Sequence, residues 1–395
     1  MSTFGLIFCL LPLFFGAAFP AFLAPITTDL SSKRYMLRIY LKAPPQPANL
    51  VLDLGASFST LVYCSRSHDS SFGSTSCKAR YDSPGPGCSS DSLAMPVTDG
   101  RNPGQLGVIP GFVFACGNRS LLKGLVKGAA GLAGLGRSNL SIPAQVSSFS
   151  SDNLVFALCL SGSPSAPGVA FFGSGGPYYF LPEIDLSKYL NYTPLLSNPA
   201  GSTVINYSNP SNEYFIGLTA INVNGKAVEF NQTLLSHGGT KLSTVTPYTT
   251  LHSTIYRALT EAFVNESAAL NLTVTQPVKP FNVCYNAEEV MITRIGPAVP
   301  TVDFVLQDDD DDVIWRIFGW NSMVRIFRDG VDVYCLGFLD GGPNPKSTVV
   351  IGGHQMDDNL LQFDLESNRL GFSSSLLVHG TMCANFNFTT NNNLR

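Results

Sequence analysis

The residues best suited to chemistry lie in two short polar turns, each of which follows an apolar, strand-like run. The first turn reads Asp53-Leu-Gly-Ala-Ser57 and the second reads Ser243-Thr-Val-Thr246. Asp53 can act in a cleft or accept hydrogen bonds from the backbone of its own turn, and the second interpretation is favoured. A serine nucleophile needs a neighbouring base. Ser243 is interpreted as a turn-forming serine, because no recognisable nucleophile motif contains any of the five histidines, His68, His237, His252, His354 and His379.

Short β-rich runs surround these turns and are separated by Gly, Pro, Asn and Ser residues, which predicts an all-β protein. The predicted strands cover residues 35–41, 49–53, 111–116, 154–160, 169–172, 214–223, 226–230, 302–306, 331–338, 349–351 and 361–372. Two helices are predicted. One covers residues 253–265 with Ser253 as its cap, and the other covers residues 142–149 with Pro143 near its start.

A faint internal repeat divides the chain. Each polar turn is followed downstream by a glycine-rich apolar run, at residues 131–136 and again at residues 349–353. Two copies of this arrangement predict two related lobes, at residues 25–197 and 212–395, joined by a segment rich in Asn, Ser and Pro. The chain has 395 residues, which is long enough for two domains of ordinary size.

The first residues predict an exported protein. An apolar run over residues 4–15 precedes several small residues, as in a secretory signal peptide, which is assigned to residues 1–24 with cleavage between Ala18 and Ala24. Cys9 leaves with this segment, and the even number of remaining cysteines predicts up to four disulfides of open pairing. A zinc site is not expected, since no Cys-x-x-Cys arrangement occurs. The remaining cysteines are Cys64, Cys77, Cys88, Cys116, Cys159, Cys284, Cys335 and Cys383.

Eight Asn-x-Ser/Thr sequons follow the signal segment, and glycosylation is expected at several of them. They are Asn118, Asn139, Asn191, Asn206, Asn231, Asn265, Asn271 and Asn387. A formal charge of −4 and a pI near 5.7 give no reason to expect nucleic acid as a partner. No later stretch is long enough to span a bilayer. No metal or cofactor is expected, because the aspartate run at residues 308–312 lacks the alternate spacing of a calcium loop and is interpreted as a solvated turn.

Taken in order, these residues resemble the pepsin-like aspartic peptidases, in which each lobe brings an Asp-Thr-Gly loop to a central cleft. Asp53-Leu-Gly-Ala-Ser57 resembles the first loop and Ser243-Thr-Val-Thr246 the second. The resemblance covers nearly the whole mature chain, including Gly134-Leu-Gly136, the Cys284/Cys335 pair and Ile351-Gly-Gly353. It implies an all-β, bilobal pepsin-like fold with a few short helices.

Departures from that pattern argue against peptidase activity. Two adjacent carboxylates share one proton, and the ionised one activates the attacking water. The hydroxyl of Ser243 cannot take that role, so Asp53 and Ser243 are expected to be relic positions. Leu54 stands where a threonine normally hydrogen-bonds across the two loops. The stretch from Cys88 to Gly111, where the family's flap hairpin is expected, contains no tyrosine and is judged too short.

The closest resemblance is to a plant group of inactive homologues: xylanase inhibitors, dermal glycoproteins that inhibit xyloglucan endoglucanase, and basic seed globulins. Five segments carry it, at residues 242–249, 321–324, 352–357, 363–372 and 383–389. The resemblance implies a secreted, monomeric inhibitor of microbial cell-wall-degrading endoglycanases, held in the apoplast or cell wall. The alternatives are a weakly active acid endopeptidase and a storage or peptide-binding glycoprotein. Between Cys64 and Cys116 this chain is shorter than the group and lacks some of its cysteines.

Candidate contact residues follow from the same resemblance. In the xylanase inhibitors, a histidine just before the last cysteine enters the target's cleft, where two carboxylates carry out glycoside hydrolysis. His379 matches that position by its spacing from Cys383, and an imidazole contact would depend on pH. The xyloglucanase inhibitors use arginines on exposed loops, for which the candidates are Arg316, Arg325 and Arg328.

Overall fold

The computed structural model describes residues 21–57, 61–63, 88–117, 125–150, 153–197, 211–236, 238–308 and 312–394. Several predictions lie outside these residues or their described side chains: most of the signal segment, Cys64, Cys77, Cys88 and Cys116, Asn118 and Asn206, and the joining segment at residues 198–210. Within the described residues the protein is built mainly of strands with a few short helices, which confirms the all-β prediction.

The first lobe contains twelve strands among the described residues. They are β1 (Ala21–Asp29), β2 (Arg34–Leu41), β3 (Gln46–Asp53), β4 (Leu61–Tyr63), β5 (Cys88–Thr98), β6 (Pro103–Gly117), β7 (Gly131–Gly134), β8 (Val155–Cys159), β9 (Gly168–Phe172), β10 (Tyr179–Phe180), β11 (Ile184–Asp185) and β12 (Asn191–Leu196).

The described strands of the second lobe are shorter on average. They are β13 (Phe215–Ile216), β14 (Leu218–Val223), β15 (Lys226–Ala227), β16 (Thr240–Leu242), β17 (Thr249–Leu251), β18 (Val274–Thr275), β19 (Cys284–Asn286), β20 (Ile292–Thr293), β21 (Gly296–Pro297), β22 (Val302–Leu306), β23 (Val313–Ile317), β24 (Met323–Arg328), β25 (Val331–Leu336), β26 (Phe338–Asp340), β27 (Val349–Ile351), β28 (Leu360–Asp364) and β29 (Arg369–Phe372).

The helices are few among the described residues, and none of them combines the length and apolar character needed to cross a bilayer. The α-helices are α1 (Ile142–Ser150), α2 (Thr233–Ser236), α3 (Ser253–Ala268), α4 (Gly319–Ser322) and α5 (Gly353–Met356). Short 3₁₀ segments cover Leu186–Tyr189, Ala287–Glu289, Leu376–His379 and Cys383–Asn385.

The cap predicted for the long helix α3 is wrong by one residue. His252 is the cap, because its Nδ1 accepts a hydrogen bond from the Thr254 N–H at 3.1 Å. The Ser253 hydroxyl instead donates to Asp340 at 2.6 Å. A histidine is outside the usual set of capping residues, so composition alone points to the serine.

The internal repeat corresponds to two equivalent parallel strand pairs. In the first lobe β3 runs parallel to β7, with Asp53 opposite Gly134. In the second lobe β16 runs parallel to β27, with Leu242 opposite Ile351. Each polar turn therefore leaves its strand beside a strand that runs into glycines, and a Cβ added to Gly136 or Gly352 would lie within 3 Å of the backbone of Ala56 or Tyr248.

One continuous sheet joins the two lobes. Strand β8 pairs with β9 on one side and with β28 on the other, and β28 continues through β29 to β12. The rings of Phe156 and Phe363, from β8 and β28, stack with centroids 4.6 Å apart. Aromatic pairs of this kind stabilise a fold beyond their buried area, so the core is shared between the lobes.

Strand β1 begins inside the segment assigned to the signal peptide. Phe22, Leu23 and Ala24 are 3%, 1% and 0% exposed. Phe22 pairs with Phe172 and Ala24 with Ala170. A cleavage that keeps this strand intact therefore falls before Ala21. Apolar and small residues suit a signal sequence and a buried strand equally well, which is why composition did not separate them.

Two disulfides lie among the described residues. Cys159 is bonded to Cys383 and Cys284 is bonded to Cys335. The first attaches the 3₁₀ segment near the carboxyl end to strand β8 of the first lobe. The second joins neighbouring strands β19 and β25, where the two residues are directly opposite.

Candidate functional site

The first polar turn is fixed by hydrogen bonds at the end of β3. The Asp53 carboxylate accepts a hydrogen bond from the Gly55 N–H at 2.9 Å. The backbone carbonyl of Asp53 accepts one from the Leu135 N–H, also at 2.9 Å. Burial raises the pKa of the Asp53 carboxyl, while hydrogen bonds from the Gly55 and Ala56 N–H groups act in the opposite direction. Asp53 thus holds its own turn, as a structural carboxylate would.

The second polar turn has a neutral centre. The Ser243 hydroxyl lies 3.0 Å from the hydroxyl oxygen of Thr246, and the Ser243 N–H donates to the Ile351 carbonyl at 3.0 Å. Among the described residues no histidine nitrogen contacts the Ser243 hydroxyl, so no base is placed to activate it. The hydroxyl can donate or accept a hydrogen bond but cannot carry a negative charge at acid pH.

The two turns are joined by a one-sided hydrogen-bond bridge. The Thr244 hydroxyl donates to the Leu52 carbonyl at 2.8 Å and accepts from the Leu54 N–H at 3.2 Å. The reciprocal bridge would need a hydroxyl at position 54, where the Leu54 side chain is fully buried and apolar. Thr244 therefore satisfies two buried backbone groups of the opposite lobe without a return bond.

We expect the substitution Thr244→Val to lower the free energy of unfolding by about 2–4 kcal/mol. Valine keeps the shape but leaves the Leu52 carbonyl and the Leu54 N–H buried without partners, at about 1–3 kcal/mol each. Urea unfolding measures the change. Thr219→Val is the matched control, because the Thr219 hydroxyl bonds the Val305 carbonyl at a half-exposed position. Equal losses in the two variants would contradict the role of Thr244.

A carboxylate that the sequence analysis missed lies against the first turn. Glu213 forms an ion pair with Lys241 at 2.6 Å, and a Cβ added to Gly55 would lie 3.1 Å from its Cγ. Its negative charge contributes to the raised pKa of Asp53. The Lys241 ammonium donates to Glu213 Oε1, so Glu213 is assigned to this ion pair and not to the role of an acid in the site. Glu213 follows the joining segment, and its sequence context gives no signal of this position.

A long hairpin occupies the stretch judged too short for one. Strands β5 and β6 pair from Cys88 and Ala115 to Thr98 and Pro103. The turn between them does not lie against Asp53. Gly100 packs on the Pro177 carbonyl, and Arg101 lies 3.7 Å from the ring centroid of Tyr179. The strand pattern did not predict this hairpin, whose register is interrupted by two irregularities, but its turn packs on the Pro177–Tyr179 segment, so it is not the expected flap.

The candidate contact residues lie on separate elements. Arg325 and Arg328 share strand β24, with Arg328 exposed near the Asp329–Gly330 turn. Arg316, on β23, makes two hydrogen bonds of 2.7 and 2.8 Å to Asp303, which is buried. These bonds raise the pKa of Arg316 and fully engage its guanidinium on one side.

Arg325 and His379 also have partners within the protein. Arg325 pairs with Asp332 at 2.8 and 2.9 Å, which raises the pKa of its guanidinium. His379 ends a 3₁₀ segment, and its ring centroid lies 4.2 Å from that of Tyr189. Partial burial lowers the pKa of the His379 imidazole. Of the three arginines, Arg328 is therefore the one whose guanidinium has no ion pair among the described residues.

The tip of the β24–β25 hairpin contains an exposed aromatic that sequence reasoning missed. Phe327 is 79% exposed, directly beside Arg328, and Val331 follows the turn at 38%. Phe327 lies in an apolar-rich run and reads as core in the sequence. The strand alternation of β24 instead directs it to solvent, because its neighbour Ile326 takes the inward position.

Among the described sequons the asparagines are accessible. Asn387 is half-buried, and the others are exposed: Asn139, Asn191, Asn231, Asn265 and Asn271.

The described residues contain no arrangement that would hold a metal ion. The aspartate run is described only at its ends, where Asp312 accepts a hydrogen bond from Thr219. No group of three or more His, Cys, Asp or Glu side chains is arranged to hold a metal in the part of the chain that the structure covers.

Comparison with known proteins gives matches over most of the chain. Residues 62–174 match the family described as xylanase inhibitor N-terminal, and residues 213–374 match xylanase inhibitor C-terminal. The chain is 44% identical to the soybean (Glycine max) protein named probable aspartic proteinase GIP1, over 92% of this chain and 91% of that one. It is 43% identical to gamma conglutin 1 of Prunus dulcis, over 76% of this chain and 65% of that one.

Solved structures agree with these matches. The crystal structure of edgp superposes with a TM-score of 0.86 at 41% identity, covering 94% of this chain and 99% of that chain. The crystal structure of basic 7S globulin from soybean superposes with a TM-score of 0.75 at 27% identity, covering 93% and 98%. The pepsin-like bilobal fold is thereby confirmed.

Proposed function

This chain belongs to the plant family of pepsin-like aspartic-peptidase homologues that includes the xylanase-inhibitor proteins, and we propose that it acts by binding another protein and not by cleaving peptides. The proposed target is a microbial cell-wall-degrading endoglycanase, either a xylanase or a xyloglucan endoglucanase. The observation that carries the first part is that the two turns themselves contribute one carboxylate, Asp53, with Ser243 at the equivalent position of the second turn.

Loss of peptidase chemistry is supported by the geometry of both turns. The Asp53 carboxylate is engaged by the Gly55 N–H, and within the part of the chain that the structure describes Ser243 bonds only to its own turn and to β27. Neither residue is placed to share a proton with a second carboxylic acid. Losing a positioned general base costs about 10²–10⁴-fold in rate.

An inhibitory surface is supported by the β24–β25 hairpin. Its tip presents the exposed ring of Phe327 and, at the next residue on the opposite face of the strand, the exposed charge of Arg328. Aromatic residues and arginine supply most of the binding energy at protein interfaces, and a cation suits a target whose cleft contains two carboxylates. Arg325 and Asp332 stiffen the hairpin below the tip. His379 is retained as a second contact, whereas Arg316 is assigned to binding Asp303.

The proposed setting is extracellular. We propose that a signal peptide is removed before Ala21, so that β1 stays complete, and that the mature monomer is held in the apoplast or cell wall. Exposed sequons and the two described disulfides suit a secreted protein. Only 13% of the residues are charged, so we expect glycans to supply part of the hydrated surface.

The decisive experiment titrates the secreted, glycosylated protein against a fungal xylanase and a fungal xyloglucanase. We expect stoichiometric loss of activity of one of them, and a rise of about 10-fold or more in the inhibition constant for the double variant Phe327→Ser, Arg328→Gln. Phe149→Ser is the control, because Phe149 is 42% exposed on helix α1.

Two other outcomes would overturn the proposal. Pepstatin-sensitive cleavage of a peptide substrate at acid pH by the wild-type protein would show a residual acid peptidase. Failure to inhibit either glycanase, together with no cleavage, would favour a storage or peptide-binding glycoprotein, a function to which the seed globulin relatives point.

A further inference from the structure

A cavity of about 500 Å³ lies between the two lobes, and neither Asp53 nor Ser243 lines it. The first lobe contributes the β1–β2 turn, with Leu30 and Lys33, and the turn after β8. The second lobe contributes residues from β20, α4 and the neighbouring strands. The volume of the cavity falls in the range of small-molecule sites, which occur preferentially at domain interfaces.

The walls of this interlobe cavity are mostly apolar, with flat aromatic surfaces. Tyr248, Trp320 and Tyr334 line it together with Met323 and Met382. The Trp320 indole N–H donates to Asp358 at 3.1 Å, which fixes the plane of that ring. Aromatic faces and adaptable methionine side chains favour a planar, apolar ligand body.

One carboxylate oxygen at the floor has spare capacity to accept a hydrogen bond. The Tyr35 hydroxyl donates to Asp357 Oδ1 at 2.7 Å. His354 Nε2 donates to the Met323 carbonyl at 3.0 Å, and His354 Nδ1 is 3.7 Å from Asp357 Oδ2, which is too long for a hydrogen bond. Asp357 Oδ2 therefore accepts from no donor among the described residues, and a ligand hydroxyl could supply one.

The mouth of the cavity is positively charged. Lys33 from the first lobe and Arg294 from the second both line it, and neither makes an ion pair within the described residues. The third cation, Arg325, is paired with Asp332. The negative Asp357 lies at the floor, so an anionic group is repelled from the floor and attracted to the mouth. This separation of charge fixes the orientation of a bound molecule.

We propose that the interlobe cavity binds a hydroxylated aromatic carboxylate. The ring lies between the aromatic walls, the hydroxyl donates to Asp357 Oδ2, and the carboxylate meets Lys33 and Arg294 at the mouth. Each lobe supplies one cation, so a bound ligand bridges the lobes. The base of the β24–β25 hairpin lines this cavity, whereas Phe327 and Arg328 at its tip, which are proposed to contact a glycanase, do not line it, so variants at the tip and in the cavity test the two proposals separately.

Isothermal titration of the full secreted protein with three probes tests the proposal. They are 4-hydroxycinnamate, cinnamate, which lacks the hydroxyl, and methyl 4-hydroxycinnamate, which lacks the charge. We expect 4-hydroxycinnamate to bind about 10-fold more tightly than either of the others, since each comparison removes one charge-assisted hydrogen bond. Absence of binding by all three, or equal affinities for the acid and the ester, would overturn the proposal.

Two variants assign the contacts. Arg294→Gln, at an exposed position, should weaken binding of the acid about 10-fold and leave the ester unchanged, whereas the control Arg257→Gln, on helix α3, should change neither. Asp357→Asn should remove the preference for the hydroxylated acid over cinnamate. If Asp357→Asn fails to fold, Thr293→Trp, which narrows the mouth, replaces it and should abolish binding. Unchanged affinities in Arg294→Gln would contradict the assignment.

Discussion

Replacing Cys159 and Cys383 together by alanine is expected to lower the free energy of unfolding by about 5 kcal/mol. The bond closes a loop of 224 residues, and in the chain-entropy account the stabilisation grows with the logarithm of that length. Both sulfurs are fully buried, packed with Phe171 and Phe386. The loss therefore also includes contacts in this second hydrophobic cluster.

The matched control for this variant is the pair Cys284 and Cys335, which closes a loop of 51 residues. We expect its replacement by alanine to cost about 1 kcal/mol less, by the same logarithmic dependence. Urea unfolding of both variants under non-oxidising conditions measures the difference. A larger loss from the shorter loop would show that local packing, and not chain entropy, dominates these bonds.

Asp358 is expected to make the protein more stable in acid than at neutral pH. Burial, with a further contribution from the charge of Asp357, raises the pKa of the Asp358 carboxyl from 3.8 to about 7. Between pH 3.8 and about pH 7, the folded state therefore keeps a proton on Asp358 that the unfolded state has released. Its contribution is present in full below about pH 4 and is lost as the pH rises through about 7, which amounts to about 4 kcal/mol.

Unfolding of the wild-type protein and of Asp358→Asn between pH 4 and pH 8 tests this dependence. Asparagine resembles the protonated acid, so the wild-type protein should lose stability relative to the variant as the pH rises. Asp340→Asn is the control. The Ser253 hydroxyl and the Gly342 N–H lower the pKa of Asp340, so its contribution is lost only as the pH falls below the ordinary range. Parallel curves for wild type and Asp358→Asn would contradict the prediction.

Local pattern was enough to predict many of the strands and the pair of polar turns that two of them carry. Alternating and apolar runs predicted β2, β8, β9, β22 and β27 within a residue or two, because buried strands leave a direct signature in sequence. The repeat predicted a glycine-rich apolar run downstream of each polar turn, and the structure shows that these runs contain the strands paired with β3 and β16. Ser243 was identified from its place in that repeat, which required no knowledge of contacts.

Features that depend on distant contacts could not be read in this way. Arg316 was taken as a free surface charge because its partner, Asp303, is on the preceding strand and is buried only in the folded sheet. Glu213 and Asp53 are brought together from opposite lobes. The interlobe cavity joins Lys33 to Arg294 and Asp357. Strand β1 was missed since its residues satisfy two competing patterns.

The sheet that passes from β9 through β8 and β28 to β12 also has a mechanical consequence. A hinge between two lobes needs a boundary where few bonds cross, and here the boundary runs through a hydrogen-bonded ladder and a stacked aromatic pair. Separating the lobes would break the hydrogen bonds between β8 and β28 together. The two lobes are therefore held rigidly together. A partner binds a preformed surface, so little conformational entropy of this protein is lost on binding.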